Sequence, residues 1–94
     1  MTQLPTFQNY GNYSSDNYGA HTLQIFLGGL TLYYSYKTIV AYYDILDGQV
    51  VCENSWGVTT GKHLNWIDNG DKKNRKSSKV FDTMLEAAIA RHIK

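Results

Sequence analysis

Three groups of residues in this chain could do chemistry. Gly57 to His63 reads GVTTGKH, the outline of a phosphate-binding loop. Cys52 and His63 are a thiol and a base, the raw materials of a nucleophile pair. The stretch Trp56 to Lys79, WGVTTGKHLNWIDNGDKKNRKSSK, holds both tryptophans, His63 and the cations Lys62, Lys72, Lys73, Arg75, Lys76 and Lys79.

The first two groups fail on spacing and setting. A phosphate loop needs four residues between its glycines and Ser or Thr after the lysine. Here three separate the glycines, and His63 follows Lys62. A weaker reading survives, an anion held by free amides at a helix start; a glycine-permitted turn into a helix explains the same string. Cys52 sits in an apolar strand pattern with nothing nearby to lower its thiol pKa. One cysteine and three scattered histidines (His21, His63, His92) give no ligand pair at metal spacing. A lone carboxylate such as Glu53 serves as acid or base only beside a pocket. The chain is therefore read as non-enzymatic, with no cofactor and no metal.

The third group is a surface that could bind. Lysines and arginine meet phosphates, and bases stack on exposed aromatics, so the loop Lys72, Lys73, Arg75, Lys76, Lys79 beside Trp66 could hold nucleic acid. Tyr, Trp and Arg also concentrate binding energy between proteins. The expected contact residues are Lys62, His63, Asn65, Trp66, Lys72, Lys73, Arg75 and Lys76. Against them stands a plain alternative: a solvated basic loop, Trp66 in the core, Asn65 closing a turn.

Composition sets the frame for these residues. Ninety-four residues, 43% hydrophobic, make one folded domain. The net charge of +1 hides an asymmetry. Residues 1–55 carry one lysine against four carboxylates, and residues 56–94 carry eight cations against four. All eight tyrosines fall between Tyr10 and Tyr43. No apolar run approaches the ~18 residues of a membrane span, and MTQLPTFQNY lacks the basic-then-apolar pattern of a signal peptide. The single cysteine suits an intracellular protein.

The elements that must position the candidates follow from pattern. Residues 1–20 are irregular: 8–20 are rich in Asn, Gly, Ser and Tyr, which favour turns, and Tyr10, Tyr13 and Tyr18 either cap the core or form an adaptable binding surface. Residues 21–55 form the sheet. Gly28-Gly29 predicts a hairpin in which Leu27 pairs with Leu30, Ile25 with Leu32 and Leu23 with Tyr34. Asp47-Gly48 predicts a second hairpin, with Ile39, Ala41, Tyr43, Ile45, Val50 and Cys52 on one face, and Tyr42, Asp44, Val51 and Glu53 on the other. Residues 56–94 form a helical part with a basic loop at 70–79. A short helix covers Lys62 to Ile67, capped by Thr59 or Thr60, with Leu64 and Ile67 inward. A second, over 79–92, is capped by Ser77 or Ser78 and buries a stripe of Phe81, Met84, Leu85, Ala88, Ile89 and His92. Arg91 and Lys94 suit its negative end. The expected fold is α+β, a four-stranded antiparallel meander with two helices packed on one face. A face left bare would make the chain a homodimer.

The strings NYSSDNYGAH (12–21), YYSYKTIVA (33–41) and ENSWGVTTGKHLNWIDNGDKK (53–73) resemble a family of small proteins encoded by bacteriophages and mobile elements, a domain of unknown function. The likeness spans most of the chain, and TTGKHLN at 59–65 is its most distinctive part. It implies a phage accessory protein acting in the bacterial host cytoplasm. Joined to the lack of catalytic groups, it gives the expectation of an inhibitor that binds a host protein or ribonucleoprotein, such as an anti-CRISPR or other anti-defence protein. The alternative is a nucleic-acid-binding accessory protein that uses the basic loop.

Overall fold

The computed structural model describes residues 6–8 and 22–92. The Tyr-rich segment read as a loop with Tyr10, Tyr13 and Tyr18, and also Lys94, lie outside the described residues. Five strands, β1 (Thr6–Gln8), β2 (Thr22–Leu27), β3 (Leu30–Ser35), β4 (Thr38–Asp44) and β5 (Gly48–Val51), form one antiparallel sheet in sequence order. Two helices follow, α1 (Val58–Asp68) and α2 (Ser78–His92), with a 3-10 turn at Lys72–Asn74 between them. The α+β meander is the expected one. It gains one strand: Thr6 to Gln8 pair with Phe26 to Gln24 and extend the sheet beyond β2.

The first hairpin has the register its sequence dictates. Leu27 pairs with Leu30, Ile25 with Leu32 and Leu23 with Tyr34. Gly28, at φ 62°, is the only one of the two turn glycines with positive φ, as in a type II′ turn. Gly29 serves a second purpose: a Cβ there would stand 3.0 Å from the His92 ring.

The second hairpin departs from expectation, and a bulge is the reason. Tyr34 pairs with Ile39 but Tyr33 with Ala41, so Val40 is an extra residue in β4. One extra residue reverses the alternation beyond it. Val40 and Ala41 are both buried on one face, and Tyr42 turns to the other beside Val50. Ile45, expected inside, is 81% exposed in a three-residue turn closed by Gly48 at φ 71°.

Both faces of the sheet carry apolar residues, and each takes one helix. Leu30, Leu32, Tyr42, Val50 and Cys52 pack with Phe81 and Ala88 of α2. Paired residues Tyr33, Ala41 and Val51, with Val40, point the opposite way and pack with Leu64 and Ile67 of α1. The single-face packing expected from sequence is therefore corrected: the bulge gives β4 buried side chains on both sides. The Tyr42 and Phe81 ring centroids lie 5.9 Å apart, tilted by 48°, a favourable aromatic geometry.

Two polar devices fasten the helical part. At the end of α2, Arg91 Nη2 donates to Asp44 Oδ2 at 2.5 Å and to Asp47 Oδ2 at 2.8 Å, and His92 Nε2 lies 3.3 Å from Asp44 Oδ2. Tyr42 donates its hydroxyl to Asp47 at 2.6 Å, and the Asp47 amide donates to Asp44 Oδ1 at 2.6 Å. Arg91 thus binds carboxylates from the β4–β5 turn as well as facing the helix dipole. At the sheet edge, Lys76 N donates to Val51 O and Glu53 N donates to Lys76 O, each at 2.8 Å. The segment read as a loop therefore bridges to the end of β5.

Cys52 is buried in the α2-facing core, as its strand pattern implies. Burial, with smaller contributions from the Asp82 and Glu53 charges, pushes its thiol up to about 11. The folded protein should therefore resist a chromogenic thiol reagent at pH 8 and react with one equivalent after denaturation, read as absorbance against time.

Candidate functional site

α1 begins without a side-chain cap. Gly57 stands at its N-cap position, and neither Thr59 nor Thr60 fills that role. The entry is set by Asn54, whose Oδ1 accepts from the Trp56 and Gly57 amides and whose Nδ2 donates to Gly57 O. The helix starts four residues earlier than expected, so its buried face is Thr60, His63, Leu64 and Ile67, spaced at i, i+3, i+4 and i+7. Asn69, in the left-handed region at φ 56°, ends it and donates its amide to Asn65 O.

His63 is fully buried, not at the surface. Its Nδ1 lies 2.7 Å from Ser35 Oγ, and Ser35 Oγ lies 2.9 Å from Thr60 Oγ1. The Ser35 hydroxyl has one proton, so one of these neighbours must donate to it. The Tyr36 ring centroid stands 6.1 Å from that of His63. His63 thus ties the end of β3 to α1, and as a partner contact it is corrected to an internal strut.

Arg75 is likewise turned inward. Its side chain is 5% exposed. Nε donates to Asp68 Oδ2 at 2.7 Å and Nη2 to Asp68 Oδ1 at 3.0 Å, a bidentate pair, while Nη2 also reaches Asn65 Oδ1 at 3.0 Å. The hydrogen bond to Asp68, opposed by burial and aided by the charges of Asp68 and Asp71, holds its guanidinium above the usual range. Arg75 therefore clamps the loop to α1 and presents no charge to a partner. Asn65 is its acceptor.

The remaining expected contacts are outward. Lys62, Trp66, Lys72, Lys73 and Lys76 are all exposed, and Trp66 is 48% exposed, which settles its place outside the core. Lys72 shares a polar hollow with Glu53, Asn54, Asn65 and Arg75. The 3-10 turn, the Arg75 clamp, the Lys76 bridge and an Asn74–Asp71 hydrogen bond of 2.6 Å fix the backbone carrying these lysines. Of the eight expected contacts, His63 and Arg75 are internal anchors of this segment, not surface residues.

A second feature escaped sequence reading. Tyr36 and Trp56, 48% and 43% exposed, flank a hollow with Ser35 and Thr60 among its lining. The separate strings at 33–41 and 53–73 meet here, a contact that sequence separation hides. Among the described residues, no three of His, Cys, Asp or Glu group as a metal site, and no helix is long and apolar enough to cross a membrane.

A family model described as a family of unknown function (DUF8033) matches residues 4–83. No curated protein and no solved structure matches the chain.

Proposed function

We propose that this chain, which belongs to the DUF8033 family of unknown function, is a binding protein that blocks a host macromolecule by contact and performs no chemistry of its own. The observation that carries this reading is a fixed, cationic, tryptophan-bearing surface made by the outer side of α1 and the following loop. Lys72, Lys73 and Lys76 are exposed and form no ion pair among the described residues, while Asp68 is held by Arg75. Trp66 stands half-exposed on the adjoining helix. A loop pinned at several points loses little freedom on binding, so its contacts are retained as affinity. An exposed tryptophan is the kind of residue that anchors an interface, and lysines around it suit a charged rim that steers an acidic partner.

The partner that fits has an acidic surface with an apolar notch for the indole: a host protein or ribonucleoprotein. The likeness of the 12–21, 33–41 and 53–73 strings to small phage and mobile-element proteins favours an anti-defence inhibitor, of which an anti-CRISPR is one form, working in the bacterial cytoplasm. A second reading, nucleic-acid binding through the same lysines, draws on the same cations.

Tagged protein in bacterial host lysate, with and without nuclease, tests both. A stoichiometric protein retained after nuclease, and lost about 30-fold or more in affinity by Trp66→Ala with the melting temperature unchanged, is the expected result. Retention unaffected by Trp66→Ala and by the Lys72, Lys73, Lys76 triple alanine overturns the reading. Capture that vanishes with nuclease, with affinity falling steeply in salt, moves the function to nucleic acid.

A further inference from the structure

We propose that the hollow between the Tyr36–Lys37 turn and the start of α1 binds a nucleobase, carried by a free nucleotide or by an unpaired base of a single strand. None of the described residues that line it belongs to the lysine-bearing surface, so the site stands apart from the contact just described. Its volume, about 410 Å³, lies in the range of small-ligand sites.

The walls and floor define the chemistry. Tyr36, Trp56 and Val58 form the apolar sides, with Val58 78% exposed. Two half-exposed aromatic rings at one hollow suit a flat ring, because every base has a π-face that stacks on tyrosine or tryptophan. Ser35 and Thr60 supply hydroxyls at the base of the hollow, both buried and joined to each other at 2.9 Å. Ser35 also lies 2.7 Å from His63, so the direction of these hydrogen bonds follows the His63 tautomer. A heteroaromatic ring with hydrogen-bonding edges matches such a floor, where a plain hydrocarbon ring leaves it unused. Among the described residues that line the hollow there is no carboxylate to repel an attached phosphate, and the amide end of α1 adds partial positive charge.

Tyr36 holds φ 57°, a backbone conformation a bulky residue seldom adopts. The turn therefore places an aromatic ring where glycine would be easier, and the ring lines the hollow.

The two tryptophans allow a direct test. In a Trp66→Phe background Trp56 is the sole tryptophan, and its fluorescence is followed during titration with adenosine and uridine monophosphates, hexanucleotides of the same bases, inorganic phosphate and phenol. Saturable quenching by the nucleotides, with no response to phosphate, is expected. Tighter binding of the hexanucleotides identifies a strand as the source; equal binding identifies the free nucleotide. Tyr36→Gly relieves the positive φ, so the fold should be retained within a few degrees of melting temperature while nucleotide affinity falls about tenfold or more. Calorimetry on Trp56→Ala should show the same loss. Absence of saturable quenching by every nucleotide, phenol binding as well as the nucleotides do, or unchanged affinity in folded Tyr36→Gly each overturns the proposal.

Discussion

Asp44→Ala should cost about 3–5 kcal/mol of stability, the range for breaking a buried ion pair. Asp44 is fully buried and accepts from Arg91 and the Asp47 amide, with His92 beside it. Its loss leaves those donors facing a void and frees the β4–β5 turn from the end of α2. For a domain of this size each kcal/mol lowers the melting temperature by about 4–8 °C. A double change, Asp44→Leu with Arg91→Met, should recover much of the loss, because it removes the charge left unpaired as well as the pair. A fall no larger than that of a surface alanine would show that Asp44 bears little of the fold.

The same network sets the acid limit. Burial pushes the Asp44 carboxyl up, but Arg91, the Asp47 amide and His92 outweigh it and hold it below the usual range. Hydrogen bonds from Tyr42 and Arg91 do the same for Asp47. A carboxylate depressed in the folded state contributes stability above its unfolded pKa of about 3.9, and that contribution is lost as pH falls through the folded value. Denaturant midpoints should thus hold steady down to about pH 4 and drop below it, and Asp44→Ala should flatten that drop.

His63→Ala should cost about 2–4 kcal/mol, from a cavity in the α1-facing core and from the broken Ser35 link. The size matters less than its kind. A surface contact would lose partner affinity with its melting temperature intact. His63 should lose melting temperature first, and any partner loss should track the unfolded fraction. Lys73→Ala should behave in the reverse way. A His63→Ala variant that melts like the parent would return His63 to the list of contacts.

What was legible in the chain was what neighbours in sequence decide. The Leu23–Tyr34 hairpin follows from period-two alternation around two glycines, and the α2 stripe Phe81, Met84, Leu85, Ala88 from helical spacing. The Val40 bulge was hidden, because Ile39-Val40-Ala41 reads equally well with or without an extra residue. That one residue decides which side Tyr42 takes and why each helix has its own face. β1, three residues long, was too short to stand out beside a stretch rich in turn-forming residues. Thr60 and His63 fit the helical stripe with Leu64 and Ile67, yet Thr60 read as a cap before a helix at Lys62 and His63 as a contact; both meet Ser35, which lies 28 residues before His63. Arg75 read as one cation among several, since only the folded chain brings Asp68 and Asn65 to it.

The bond pair between Lys76 and the end of β5 has a consequence beyond positioning the loop. An outer strand with bare amides and carbonyls is a template on which another chain can zip. Here the chain seals part of its own open border at Val51 and Glu53 with a residue bearing a lysine side chain, and charge at such a border discourages a stranger's strand from joining. Lys76→Pro, which deletes the donor to Val51, should therefore self-associate more than the parent as its concentration rises, a change that light scattering registers long before any loss of fold.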